Sequence, residues 1–175
     1  MRPEVTKERL FEFMTHLGRQ LNSEGRIYLT GEASALLHDW RTTTIDIDLS
    51  AEPEPARFFP AIAEIKNSLQ INIELVSPAD FVPSLPGWIG RSKFIDRYSK
   101  TDFFHYDFFS QAFSKLARSH DRDLSDVEKM HQSGFIDPGR LKSLVEEARE
   151  QIIRYPSLSE SHLIKAINDW CEVHI

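Results

Sequence analysis

The chain has 175 residues, a formal net charge of −6 and a single cysteine, which suits one compact fold with a helical appendage rather than two independent domains. The negative balance disfavours non-specific adhesion of the whole surface to nucleic acid, while leaving room for a local basic patch, and one thiol excludes an intrachain disulfide framework. No apolar run approaches bilayer-spanning length, and Met1-Arg2-Pro3-Glu4 lacks the apolar core of a signal peptide, so a cytoplasmic protein without membrane partners is expected.

From Thr6 to about Asn22, Leu10, Phe13, Met14, Leu17 and Leu21 recur at the spacing of one helical face. Gly25 stops that helix, and Ile27-Tyr28-Leu29 are β-prone residues of a first, central strand. Glu32 to about Asp39 then suits a short helix with Ala33, Leu36 and Leu37 on one side. The turn between them falls on Gly31, where a missing Cβ permits close backbone approach by a phosphate.

Thr44 to Leu49 alternates, with Asp46 and Asp48 on one face and Ile45, Ile47 and Leu49 on the other. Residues 51–60 hold three prolines and form a loop, after which a helix runs to about Leu69 through Ile62 and Ile65. Ile71 to Val76 is a second alternating strand, with Asn72 and Glu74 facing one way. Residues 77–90 show no periodicity and read as an ordered loop. Phe94–Tyr98 and Phe103–Tyr106 read as a hairpin across Ser99-Lys100. Asp107 caps a helix through Phe113 and Leu116, and three more helices follow: Leu124 to about Ser133, Pro138 to about Tyr155, and Ser159 to about Val173, the last carrying a semi-buried Cys171. The fold class is therefore α+β with an α/β-like core: a mixed sheet flanked by helices over 1–106, and a helical region over 107–175 packed on it as one unit.

Two carboxylates at i and i+2 on a strand lie about 7 Å apart at Cα, close enough to share divalent cations. Magnesium or manganese is the hard-cation choice, and two such ions suit in-line transfer at phosphorus. A phosphate-accepting turn followed by an acidic strand resembles the nucleotidyltransferase superfamily, whose signature is a Gly-Gly or Gly-Ser turn, a short helix, an Asp-x-Asp strand and a third acid on a later strand. Gly31-Glu32, Asp46-Ile47-Asp48 and Glu74 take those places. More narrowly, Tyr28 to Ala33, Arg41 to Leu49, Ser77 to Phe81 and Lys115 to Val127 look like the small bacterial nucleotidyltransferases akin to the AbiEii toxins of abortive-infection systems.

The resemblance implies Asp46, Asp48 and Glu74 as metal ligands, with Glu74 as the third ligand or base. It implies Gly31, Glu32, Ser34, Arg41 and Lys115 on the nucleotide, and Asp126 as a supporting acid. It implies an NTP substrate, a tRNA end or a protein hydroxyl as acceptor, and a cognate antitoxin as partner. From the residues alone, Arg41 also reads as a structural cation for clustered carboxylates, and Asp123 or Ser125 as a cap for the helix that follows Lys115. One departure stands out: Glu32 replaces the small second residue of the turn and sets an anion against an anion unless its side chain turns away or binds metal. A catalytically degenerate module that binds nucleotide or protein is therefore the second reading, and a metal-dependent nuclease the third. Arg91, Lys93, Arg97 and Lys100, with Trp88 and Tyr98, are a candidate surface for an RNA acceptor. The seven histidines show no ligand spacing, so no zinc site is expected.

Overall fold

The computed structural model describes residues 1–175, and the chain forms two compact units, Met1–Ser77 with Ser92–Tyr106, and Pro78–Arg91 with Asp107–Ile175. Residues 78–91, counted with the sheet in the sequence reading, thus belong with the helices.

In the first unit, α1 (Lys7–Leu21) starts where Thr6 accepts a hydrogen bond from the Arg9 amide and ends at Asn22 in the left-handed region. Its buried face is the one the periodicity marked: Leu10, Phe13, Met14, Leu17 and Leu21. Five strands follow: β2 (Gly25–Thr30), β4 (Asp46–Ala51), β5 (Asn72–Leu75), β6 (Lys93–Tyr98) and β7 (Thr101–His105). They form one mixed sheet in the order β5-β4-β2-β7-β6. β2 lies antiparallel to β4 and parallel to β7, β4 runs parallel to β5, and β6–β7 is the expected hairpin. Its two-residue turn works without Asn-Gly because Ser99 takes φ 60°.

Alternation along these strands sorts the two faces. Ile27, Leu29, Ile47, Leu49, Ile73 and Phe103 point into a core completed by α1 and by Phe58, Ala61, Ile62 and Ile65 of α3 (Phe58–Ser68). Burying an aliphatic or aromatic side chain of this kind contributes about 1.5–3 kcal/mol. The α1 helix approaches β6 at Gly18, where any Cβ would collide with Tyr98.

A second, two-stranded sheet escapes sequence reading because each strand has only two residues: β1 (Val5–Thr6) pairs antiparallel with β3 (Thr43–Thr44). The chain start is strapped down on both sides of it. Glu4 accepts from Thr43 Oγ1 at 3.0 Å, Lys7 pairs with Asp39 at 3.0 Å, and Arg2 donates to the Ile71 carbonyl at 2.6 Å and to Asn67 Oδ1 at 3.0 Å.

The second unit is helical. α4 (Trp88–Arg91) is a single turn inside the stretch read as loop. α5 (Phe108–Arg118) is capped by Asp107, whose carboxylate accepts from the Phe109 and Ser110 amides and is gripped by Arg91 at 3.2 and 2.8 Å. α6 (Asp121–Gln132) starts after His120, three residues earlier than expected, so neither Asp123 nor Ser125 is its cap. α7 (Pro138–Ala148) opens with Asp137 as cap and proline in the first turn, then tightens into a 3₁₀ segment over Arg149–Arg154. α8 (Glu160–His174) carries Cys171, which is fully buried rather than half-buried and donates to the Pro138 carbonyl at 3.3 Å. No helix is long and apolar enough to cross a membrane.

Candidate active site

The site in the first unit begins with the tight exit from β2. Thr30 is the extended residue before α2 (Gly31–Leu37), and Gly31 adopts φ +58°, the left-handed conformation that costs a glycine little. The same glycine is required for space: a Cβ there would lie 2.8 Å from Asp48 Oδ2. β2 and β4 explain the closeness, because Thr30 and Asp48 are direct register partners in the antiparallel pair.

Asp46 and Asp48 are both half-buried on the same face of β4, as the alternation required. The parallel pairing with β5 sets Asp46 opposite Asn72 and Asp48 opposite Glu74, so all four side chains leave the sheet on the face away from the hydrophobic core. Glu74 is exposed.

Glu32 is directed at two partners. Its carboxylate accepts from Thr44 Oγ1 at 3.0 Å and lies 3.7 Å from the Arg41 guanidinium. Thr44 Oγ1 also reaches the Asp46 carbonyl at 2.8 Å. Glu32 and Arg41 therefore tie the start of α2 to the strand that delivers Asp46, which gives Arg41 a structural anion partner in Glu32.

Ser34, expected on the nucleotide, is 1% exposed and shares a 2.8 Å hydrogen bond with His105 Nδ1. His105 lies tilted against His38 at 4.4 Å between ring centroids, and His38 stacks on Trp40 at 5.1 Å. Burial, then the neighbouring His38 and Lys93, push the His105 pKa down to about 3. Burial, reinforced by Lys93 and Lys7 and opposed by Asp39, lowers that of His38. Both rings are therefore neutral near pH 7. Sequence reasoning missed this pair because the two histidines, on different elements and far apart in the chain, have no local spacing to betray them.

In the second unit, Lys115 and Asp126 meet directly. The Lys115 ammonium lies 2.9 Å from Asp126 and 3.3 Å from Asp123, all three are buried, and Arg118 adds a 3.0 Å bond to Asp123. Of the four cations in the stretch read as a basic surface, Arg97 is bound to Asp102 at 2.8 Å and Arg91 to Asp107, each within its own unit.

No three or more His, Cys, Asp or Glu side chains stand together as a preformed metal cluster. The donors that do share a face, Asp46 and Asp48 with Glu74 in register, are all hard oxygens. This set fits a magnesium-like cation, which usually takes one or two carboxylates and completes its shell with water and substrate phosphate, and it does not suit a soft metal.

A mixed sheet with a glycine turn pressed against an acidic strand defines a phosphate-handling class of protein. A family model described as a nucleotidyltransferase of unknown function, DUF6036, matches residues 8–174, and the chain belongs to that family. No curated protein and no solved structure matches it.

Proposed function

We propose that the protein is a metal-dependent nucleotidyltransferase that moves a nucleoside monophosphate from an NTP to a hydroxyl acceptor on RNA, such as a tRNA end, or on protein. The observation that carries this reading is the approach of the Asp48 carboxylate to Gly31 with Asp46 beside it on the same strand face. A triphosphate lying along the Gly31 backbone, where no side chain intervenes, comes up against those carboxylates.

Asp46 and Asp48 would hold the cation, with Glu74 as the third acid. A magnesium or manganese ion bound there would neutralise triphosphate charge and favour the ionised acceptor. The acceptor oxygen bonds to the α-phosphorus as the bond to the departing pyrophosphate breaks, and the hydroxyl proton passes to Glu74. Neutral His105 and Ser34 hold α2 in place from behind and take no proton in this scheme.

What favours transfer over a non-catalytic module is the disposition of Glu32. Its charge is engaged by Thr44 and Arg41, which relieves the repulsion expected against a triphosphate. The toxin–antitoxin setting is supported by the resemblance to AbiEii-like chains.

The test is incubation with each α-labelled NTP, magnesium, total RNA and the product of the neighbouring gene. Label on RNA or protein that Asp48→Asn abolishes is expected. Wild type and Asp48→Asn giving the same absence of label in every combination would sink the proposal, and nicking of nucleic acid without NTP would replace it with a nuclease.

A further inference from the structure

An aromatic row crosses three strands on the carboxylate-bearing face of the sheet. Tyr28, Phe104 and Phe94 are register partners on β2, β7 and β6. Tyr28 stacks on Phe104 at 5.4 Å and 26°, and Phe94 meets Phe104 edge-on at 5.6 Å and 72°. The row opens toward the β6 edge: Tyr28 is buried, Phe104 half-buried and Phe94 58% exposed.

Beside it runs a second row of register partners, Arg26, Asp102 and Arg97. Arg97 is bound to Asp102, whereas the exposed Arg26 makes no ion pair and sets its guanidinium 5.8 Å from the centroid of the Phe104 ring.

Nothing in the core requires Phe94, whose ring points away from α1 and α3. An apolar protein helix needs a contiguous apolar surface to dock on, and the exposed end of this row is flanked by the charged row of Arg26, Asp102 and Arg97. A flat π surface with one uncommitted guanidinium beside it instead matches the two faces of a nucleotide: the base stacks on the ring and the cation meets the phosphate.

We propose that Phe94, Phe104 and Arg26 form a binding site for unpaired nucleotides of a single-stranded nucleic acid. The binding is independent of transfer chemistry; its connection to Asp48 rests on the function proposed above. Asp48 lies three strand spacings across and two residues along the sheet from Phe94, on the order of 16 Å. That span is roughly five nucleotides at the stacked rise of about 3.4 Å, and fewer if the strand is extended. Nucleic acid seated on the platform is within reach of the carboxylates by its terminal segment.

Fluorescence anisotropy with labelled short oligouridylate and oligoadenylate, their DNA equivalents and a blunt duplex, without NTP or metal, tests the site over a series of salt concentrations, with variants compared at equal salt. Wild type should bind the single strands more tightly than the duplex. Phe94→Ala should weaken that binding roughly 5- to 50-fold and Phe94→Trp should preserve it. Arg26→Gln should weaken it and flatten its salt dependence. Phe59→Ala, which removes an exposed ring from α3 on the opposite face, should leave it unchanged. Asp48→Asn should also bind normally, so a failure of transfer and a failure of this site are separable. Equal binding by wild type and Phe94→Ala would overturn the proposal. So would the absence of binding to every single strand by wild type, which would leave the face to a protein partner.

Discussion

Gly31 and Asp48 are pressed together so tightly that the smallest side chain on the one would meet the carboxylate of the other, at 2.8 Å from Oδ2. Gly31→Ala therefore carries two penalties, a left-handed backbone that costs an alanine about 1–2 kcal/mol and displacement of Asp48. Thermal unfolding should register the first as a fall in Tm of several degrees. Transfer activity should register the second as a loss beyond what the stability change explains.

Asp46 and Asp48 are like charges on one strand face, so neutralising either relieves repulsion while removing a cation ligand. Asp46→Asn and Asp48→Asn should fold at least as well as wild type, and lose about 100-fold or more in transfer rate. Circular dichroism melts beside a labelled-NTP assay check both halves.

Glu32→Gln keeps a carbonyl oxygen for Thr44 and drops only the partly exposed pair with Arg41, so stability should change by about 1 kcal/mol or less. NTP affinity measured by calorimetry should stay within about fivefold of wild type. A large gain in affinity would show that Glu32 faces the triphosphate after all.

Lys115 is clamped by Asp126 and Asp123 in the interior of the helical unit. Lys115→Met takes the ammonium from the buried Asp126 carboxylate while Asp123 keeps Arg118, and should cost about 3–5 kcal/mol in urea unfolding. Adding Asp126→Leu should recover part of that loss, because a neutral pair of similar size avoids the stranded charge.

His105 has a folded pKa of about 3, far below the ordinary 6.5. Its charged form is thus disfavoured in the native state, and the unfolded chain binds the extra proton. Stability should be complete above about pH 6.5, fall as the pH drops toward 3, and level off below it, with His105 contributing on the order of 4 kcal/mol across that window. His38 adds to the slope in the same direction. In urea melts from pH 7 to 4, His105→Asn should be less stable at pH 7 and less pH-dependent than wild type.

Much of the sheet unit was legible because its elements are simple periodic signals. The α1 stripe, the Asp46/Asp48 alternation and the Glu74 strand all depend on residues within one element. What the sequence hid depends on pairing between distant segments. The β1–β3 pair is too short to show a period. Glu32 looked like an anion facing an anion until Thr44 and Arg41 were brought beside it. Lys115 looked like a free cation at a helix end because nothing local says that α6 starts at Asp121 and swings Asp123 and Asp126 onto it. The row formed by Tyr28, Phe104 and Phe94 exists only once β2, β7 and β6 are in register.

The straps at the chain start have a practical side. Arg2 grips the backbone just ahead of β5, and Glu4 with Val5 and Thr6 grips the strand just ahead of Asp46. The first six residues thus act as a buckle on the two segments that deliver the acidic side chains. Removing these six residues should loosen the acids from a distance, which circular dichroism melts beside a labelled-NTP assay on the shortened chain would check.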